Sequence, residues 1–132
     1  LTPKVIVEPL LFQGGDVLDY RFFCVNGTAK LIVVDVDWTG DKRRLIFDSE
    51  WAAQPYTISH PPSTATLPKP SNFDEMRRIA EALASRFNFI RIDLYSDGKT
   101  CQVGEITNCH GGVTATFIPP EAEREASKLL FG

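Results

Sequence analysis

Two acidic residues, Asp93 and Glu105, are the strongest candidates for chemistry in this sequence. Each lies in a run that is rich in apolar and β-branched residues, at 90–95 and at 101–107, and such runs are typical of consecutive β-strands. Because side chains alternate along a strand, Asp93 points away from the apolar face of its own strand. Its carboxylate is therefore placed to meet a ligand.

The loop between the two strands decides whether Glu105 shares that face. A two-residue turn at 97–98 pairs Asp93 with Gln102 and puts Glu105 on the opposite face. A three-residue or bulged loop pairs Asp93 with an odd-numbered residue and brings both carboxylates to one face, roughly 5–8 Å apart. We predict this second arrangement, with an odd loop or bulge around 96–99. Such a pair suits Mg²⁺, which takes one or two protein carboxylates together with waters and phosphate oxygens.

The same carboxylates have simpler explanations. They can be ordinary solvated acids on a sheet face, one of them paired with Arg91 or Lys99. A metal nuclease also carries acids on adjacent strands, but Thr107 stands where such enzymes place a basic residue. The 14 Lys and Arg residues against 17 Asp and Glu residues give a net charge of -3, which is not the basic field of a nucleic-acid binder. We therefore expect no nucleic-acid partner.

Two hairpins and two helices are predicted to position these residues. The first hairpin joins residues 20–25 to 29–36 through Asn26-Gly27, a dipeptide that supplies the positive φ angles of a tight turn. A helix over 73–87 is indicated by apolar residues at helical spacing, with Ser71 as its N-cap. The remaining predicted elements are strands at 4–8 and 44–47, an irregular proline-rich segment at 54–70, and a helix at 121–130.

This order of elements, with mostly short connections, predicts an α+β fold in which helices pack on one face of an antiparallel sheet. With 132 residues, 43% of them hydrophobic, residues 1–132 are expected to form a single domain. The three cysteines have no paired spacing, and no apolar run approaches the length that a bilayer needs. We expect a cytoplasmic protein with no membrane contact.

Several motifs, taken in order, resemble the carboxyl-terminal half of the ATP-grasp superfamily over nearly the whole chain. They are V-I-V-E-P-L-L, D-Y-R-F-F-C-V-N-G, I-R-I-D-L-Y and V-G-E-I-T-N. Within that superfamily the sequence is most similar to the TupA-like group, named for teichuronopeptide biosynthesis. That likeness includes F-D-S-E-W after the first hairpin and P-K-P-S-N-F-D-E-M at the start of the long helix.

The resemblance implies an ATP- and Mg²⁺-dependent ligase. A substrate carboxylate would be phosphorylated to an acyl phosphate and attacked by an amine, giving an amide or peptide bond. The partners would be a nucleotide and small-molecule or peptide carboxylate and amine substrates. Members hold ATP between two lobes, and this chain opens at Leu1 without Met, so we expect the carboxyl-terminal lobe alone, inactive until it meets the absent lobe. A homodimer is a further expected association, and a non-catalytic binding or assembly module is the alternative function.

The resemblance also implies roles for individual residues near the nucleotide. Glu8, Leu10 and Leu11 would meet the adenine, their backbone supplying hydrogen bonds within an apolar slot. Asp19 would lie near the ribose or the phosphates, with Arg21 on the same face, although the two can also form a simple ion pair.

Asp93 and Glu105 match the two metal-binding acids of the superfamily. The further asparagine ligand is displaced by one position, to Asn108. Independently of the resemblance, Arg43 and Arg44 are suited to hold a phosphate or an acyl phosphate, surface solubility being the alternative role. His110, which Gly111 and Gly112 follow, would bind substrate near the metal or be an ordinary loop histidine.

Overall fold

A computed structural model of the chain describes residues 2–7, 9, 12, 17–36, 40 and 42–132, with only the backbone at 112 and 113. It is an α+β structure, which confirms the predicted class. The strands are β1 (Leu18–Val25), β2 (Thr28–Val36), β3 (Arg43–Asp48), β4 (Thr57–Ile58), β5 (Phe89–Ser96), β6 (Cys101–Thr107) and β7 (Phe117–Ile118), and the helices are α1 (Phe73–Ala84) and α2 (Glu123–Phe131). Short 3-10 turns cover His110–Val113 and Pro120–Ala122.

Five of the strands form one antiparallel sheet in the order β3-β2-β1-β5-β6. Two local hairpins, β1–β2 and β5–β6, therefore dock side by side, and β1 and β5 form the seam between them. Both hairpins are antiparallel, as predicted. The separate two-stranded sheet pairs β4 with β7.

The first hairpin turns at Asn26 and Gly27, whose φ angles are 49° and 77°. Asparagine and glycine tolerate this left-handed region better than other residues, which is why this dipeptide closes a tight hairpin. Gly27 also lies against another element, since a Cβ built on it would be 3.3 Å from the Cα of Ser85. The turn is thus held by both its local chemistry and its packing.

Helix α1 covers one face of the sheet. Its apolar side contributes Phe73, Met76 and two buried alanines, which pack on even-numbered residues of β1 and β5. The Phe73 ring stacks on Phe22 at 6.0 Å between centroids, and Trp51 stacks on Phe47 at 4.1 Å. This layer is the larger of the two cores.

Helix α2 packs on the opposite face, so the prediction that both helices share one face was wrong. Ala126 and Leu130 bury against Phe23 and Leu31, whose side chains point away from α1. The reason is the sequence of the central strands: near the Asn26 turn, β1 and β2 are apolar on both faces. A second layer must cover the side that α1 leaves open.

Two smaller predictions also differ from the structure. No strand forms over 4–7, where Val5 and Val7 are 90% and 89% exposed and no described strand lies alongside. Helix α1 ends at Ala84 rather than near 87, and Ser71 does not cap it, because its hydroxyl donates instead to the Gly98 carbonyl. None of the helices in the described part of the chain is long and apolar enough to cross a membrane.

Gly27→Ala should destabilise the fold more than Gly98→Ala. Both glycines have positive φ, 77° and 85°, so alanine costs about 1–2 kcal/mol of backbone strain at either position. Gly98 has open space around it, whereas alanine at 27 must also push against Ser85, at a further cost of about 1 kcal/mol. Urea unfolding of both variants measures the difference, and equal losses would show that the contact with Ser85 is unimportant.

Candidate active site

A row of charged side chains crosses the five-stranded sheet on the same face that α2 packs against. It lies next to the apolar part of that face, on the side away from the Asn26–Gly27 turn. The strand register places these side chains side by side across the sheet. Arg44 is the cross-strand partner of Asp35, Arg21 that of Asp93, and Asp93 that of Glu105. Every strand of the five-stranded sheet contributes to the row. The members are Arg44 on β3, Asp35 on β2, Asp19 and Arg21 on β1, Arg91 and Asp93 on β5, and Glu105 and Thr107 on β6.

A β-bulge brings Asp93 and Glu105 together. Leu94 pairs with Val103, whereas Asp93 pairs with Glu105, so Gly104 is the extra residue on β6. The prediction that the two carboxylates share a face is confirmed, but the bulge lies within the strand rather than in the loop at 96–99. Glycine suits the position, since a Cβ there would lie 2.5 Å from the ring of Tyr95.

Arg91 binds the Asp93 carboxylate in a bidentate ion pair. Its Nε and Nη2 donate to the two carboxylate oxygens of Asp93, each at 2.7 Å. Nη2 also donates to the Thr107 hydroxyl at 3.2 Å and lies 3.6 Å from Glu105 Oε2. The simpler explanation, in which one of the acids forms an ion pair with Arg91, is thus observed for Asp93. The Glu105 side chain remains 60% exposed.

Thr107 fixes the second acid. Its hydroxyl donates to Glu105 Oε1 at 2.6 Å and accepts from Arg91. Both carboxylates are therefore oriented before any ligand arrives, Asp93 by a guanidinium and Glu105 by a hydroxyl.

The other half of the row is an ion-pair chain through Asp35. Arg44 donates to Asp35 Oδ1 at 2.5 Å and to Oδ2 at 3.0 Å, and its Nη1 donates to the Ile58 carbonyl at 2.7 Å. Arg21 reaches Asp35 at 2.7 Å and Asp19 at 2.7 Å. A weaker approach of 3.8 Å joins Arg21 Nε to Asp93 Oδ2 and links the two halves.

The two aspartates at the centre differ in their electrostatics. Burial alone would raise the pKa of Asp35, but hydrogen bonds and charge from Arg44 and Arg21 outweigh it, and the pKa is lowered. Burial raises the pKa of Asp19, and the nearby charges of Asp93 and Asp35 raise it further, against the effect of Arg21. The Oδ1 atom of Asp19 is buried and accepts no hydrogen bond from the described residues.

The structure does not bring every predicted residue to the row. Arg43 is exposed on the other side of β3, where it donates to the Pro62 carbonyl at 3.3 Å. Asn108 is exposed just beyond β6, and no contact among the described residues joins it to either acid. Glu8, Leu10 and Leu11 lie outside the described residues.

His110 stands beside the row rather than in a free loop. Its ring makes an edge contact with Phe23 at 4.7 Å, and it lines a cavity of about 310 Å³ together with Arg21, Arg44 and Arg91. Burial lowers the pKa of His110, and the charge of Arg91 lowers it further. The imidazole is therefore neutral at pH 7 and can accept a proton or a hydrogen bond.

Three members of the row, Asp35, Arg91 and Thr107, were not among the predicted site residues, and Arg91 was considered only as the ion-pair partner of an ordinary acid. A signal for Asp35 was present: it is an acid inside the apolar run of β2, and buried acids require partners. For Thr107 the signal was its place on the same strand face as Glu105, two residues on.

Comparison with known proteins identifies the family. The sequence model of the TupA-like ATP-grasp family matches residues 1–130. The chain belongs to the TupA-like ATP-grasp family. No curated protein and no solved structure matches it. Membership confirms the predicted family and indicates an ATP-grasp-type ligase domain, a family that uses ATP and Mg²⁺ in general.

In this TupA-like ATP-grasp domain, Arg44→Met should be costly and the neighbouring Arg43→Met nearly neutral. Loss of Arg44 leaves the Ile58 carbonyl with the His60 amide as its one donor among the described residues, and leaves Asp35 with Arg21 alone. We expect a loss of about 2–3 kcal/mol, less than the ~3–5 kcal/mol of a fully unpaired buried charge. Arg43 is exposed, so its loss should stay within about 0.5 kcal/mol. Urea unfolding measures both, and similar losses would mean that the buried pair does not stabilise the fold.

The pKa of His110, followed by NMR titration of its ring protons, should lie below the ordinary value of about 6.5. Because the folded state favours the neutral ring, His110 stabilises the fold above pH ~6.5, and that stability is lost as pH falls through the lowered pKa. Arg91→Gln removes a neighbouring cation and should raise the pKa. An unchanged pKa in that variant would leave burial as the sole cause.

Proposed function

We propose that residues 1–132 are the carboxyl-terminal lobe of an ATP- and Mg²⁺-dependent carboxylate–amine ligase, which forms an amide or peptide bond through an acyl phosphate. Family membership supports the general class. The observation that carries the proposal is the Gly104 bulge, which makes Asp93 and Glu105 cross-strand neighbours on one face. Without that irregularity the two acids would not share a face.

The residues present fit a magnesium ion. Asp93 and Glu105 offer hard carboxylate oxygens, and Mg²⁺ binds through one or two such groups and completes its shell with waters and substrate phosphates. No cluster of three or more His, Cys, Asp or Glu residues suited to a metal occurs among the described residues, so two acids are what the site supplies. Each Asp93 oxygen keeps a further lone pair beyond the one that Arg91 uses.

The chain's own residues would prepare the site in three ways. Arg91 and Thr107 hold the two acids in fixed orientations, so that little reorganisation accompanies binding. Arg21 and Arg91 bring positive charge to the same face, where negative charge on a phosphoryl group needs compensation. Mg-ATP would supply the phosphoryl group and much of that compensation. The neutral imidazole of His110 lies beside Arg91, where it can accept the proton that the attacking amine gives up.

A lobe of this kind holds only part of a nucleotide site. Two acids and part of an adenine slot give few contacts, and association must offset the entropy of immobilising the ligand. Alone, the chain is expected to bind Mg-ATP with a Kd of about 1 mM or weaker and not to turn it over.

We expect Mn²⁺, used in place of Mg²⁺ with ATP, to broaden the NMR signals of residues around Asp93 and Glu105 in this chain. Asp93→Asn and Glu105→Gln should each abolish the broadening, because each removes a charged ligand, while the exposed Glu123→Gln is the matched control. In the intact gene product, the same two variants should strongly reduce ATP-dependent ligation, measured as ADP release with carboxylate and amine substrates. Broadening centred elsewhere, or full activity in both variants, would reject the assignment.

A binding or assembly module is the second candidate, and the edge of the sheet favours it. Strand β6 lies at the edge of the described sheet, and Val103 and Ile106 are exposed on it, on the side of α1. Exposed apolar edges are common at association surfaces. Light scattering after gel filtration distinguishes the two, since a stable dimer that Val103→Lys disrupts supports the module.

A further inference from the structure

A second cavity lies next to the charged one, and its character is different. It has a volume of about 250 Å³ and lies between α2 and the sheet. Its walls are almost entirely apolar: Leu31 and Phe89 come from the sheet, Phe117 from β7, and Leu130 and Phe131 from α2. An enclosed apolar space of about 150 Å³ already accepts benzene, so this one has room for an aryl or branched alkyl group.

The two cavities share a wall and meet at His110. Phe23, Ile58, His110 and Ala115 line both of them. A ligand lying along these shared residues would extend from the arginines of the first cavity to the aromatic rings of the second.

The first cavity offers hydrogen-bond donors to a ligand. Arg21, Arg44 and Arg91 line it, and their carboxylate partners are not among the described lining residues. Arg21 and Arg44 are engaged with buried aspartates, but Arg91 keeps its Nη1 free of hydrogen bonds to any described residue. A guanidinium with a free N–H donor binds a carboxylate well, whereas an ammonium group has only donors and cannot accept from it.

We propose that the two adjoining cavities together bind a carboxylate that carries an apolar side group, with its carboxylate at Arg91 and its aryl or branched alkyl group among Phe89, Phe117 and Phe131. The assignment of that molecule as the substrate rests on the proposed ligase function. Arg91 also holds Asp93, so a carboxylate bound there lies beside the acids assigned to the metal. The geometry thus separates the reacting end from the end that determines specificity.

The ligand series is the first test, on this chain without nucleotide or metal. The probes are 3-phenylpropanoate, propanoate, 3-phenylpropanamide and 3-phenylpropylammonium, followed by amide chemical shifts in the protein's NMR spectrum. Burial of the phenyl group should make 3-phenylpropanoate bind at least about tenfold more tightly than propanoate. It should also bind about tenfold more tightly than the amide, which lacks the charge, and the ammonium should not bind at these cavities.

Variants at the two ends provide the second test. Phe131→Ser removes an aromatic wall that is 63% exposed, so the fold should survive; it should weaken 3-phenylpropanoate several-fold and leave propanoate unchanged. Phe87→Ser, at a position 42% exposed and outside the cavity, is the matched control. Arg91→Gln should weaken both carboxylates, whereas Arg86→Gln, at an exposed arginine, should weaken neither.

Three results would overturn the inference: equal affinity for propanoate and 3-phenylpropanoate, shift changes that lie away from both cavities, or an equal effect of Phe87→Ser and Phe131→Ser. Because neither ATP nor metal is used, carboxylate binding and manganese broadening can fail independently. Selective binding of 3-phenylpropanoate without manganese broadening at Asp93 would support this pocket and reject the proposed ligase function.

Discussion

The alternation of carboxylates and guanidinium groups across the sheet is the constraint on which the site depends. Buried charges are costly unless each meets an opposite partner, and here Asp35 lies between Arg44 and Arg21 while Asp93 lies against Arg91. The pairs form only if all five strands have the observed register, because a slip by one residue would turn a strand's charged groups into the apolar core. The polar row therefore selects one register, and the apolar faces supply the free energy of folding.

Local chemistry explains what could be predicted from the sequence. The Asn26-Gly27 turn, the spacing of Met76 and Ala80, and the alternation around Asp93 are each decided within a few residues, and all three are as predicted. The family resemblance was also sound, since the TupA-like ATP-grasp model covers residues 1–130. The shared face of the two acids was predicted, but with the irregularity in the loop at 96–99 rather than within β6, because its position depends on pairing between strands.

The wrong predictions have a common physical cause, because each concerns a segment whose structure depends on the elements that pack or pair beside it. The side of the sheet that α2 covers depends on which face α1 leaves open, and a strand at 4–7 would need a partner that is not among the described residues. Gly104 was a readable signal, as a glycine within a strand often marks a bulge. What no local pattern contains is the meeting of Asp35 with two arginines from neighbouring strands.

The docking of the two hairpins at β1 and β5 has a consequence for how the protein folds. Each hairpin closes a short loop, so its entropic cost is small, but the pairing of Arg21 with Asp93 joins distant parts of the chain. Closing that seam therefore carries the larger entropic cost, and it brings the acids of β5 and β6 to the arginine of β1. The candidate active site consequently exists only when the hairpins are docked, and a chain with both hairpins formed but not docked would have native-like secondary structure and no site.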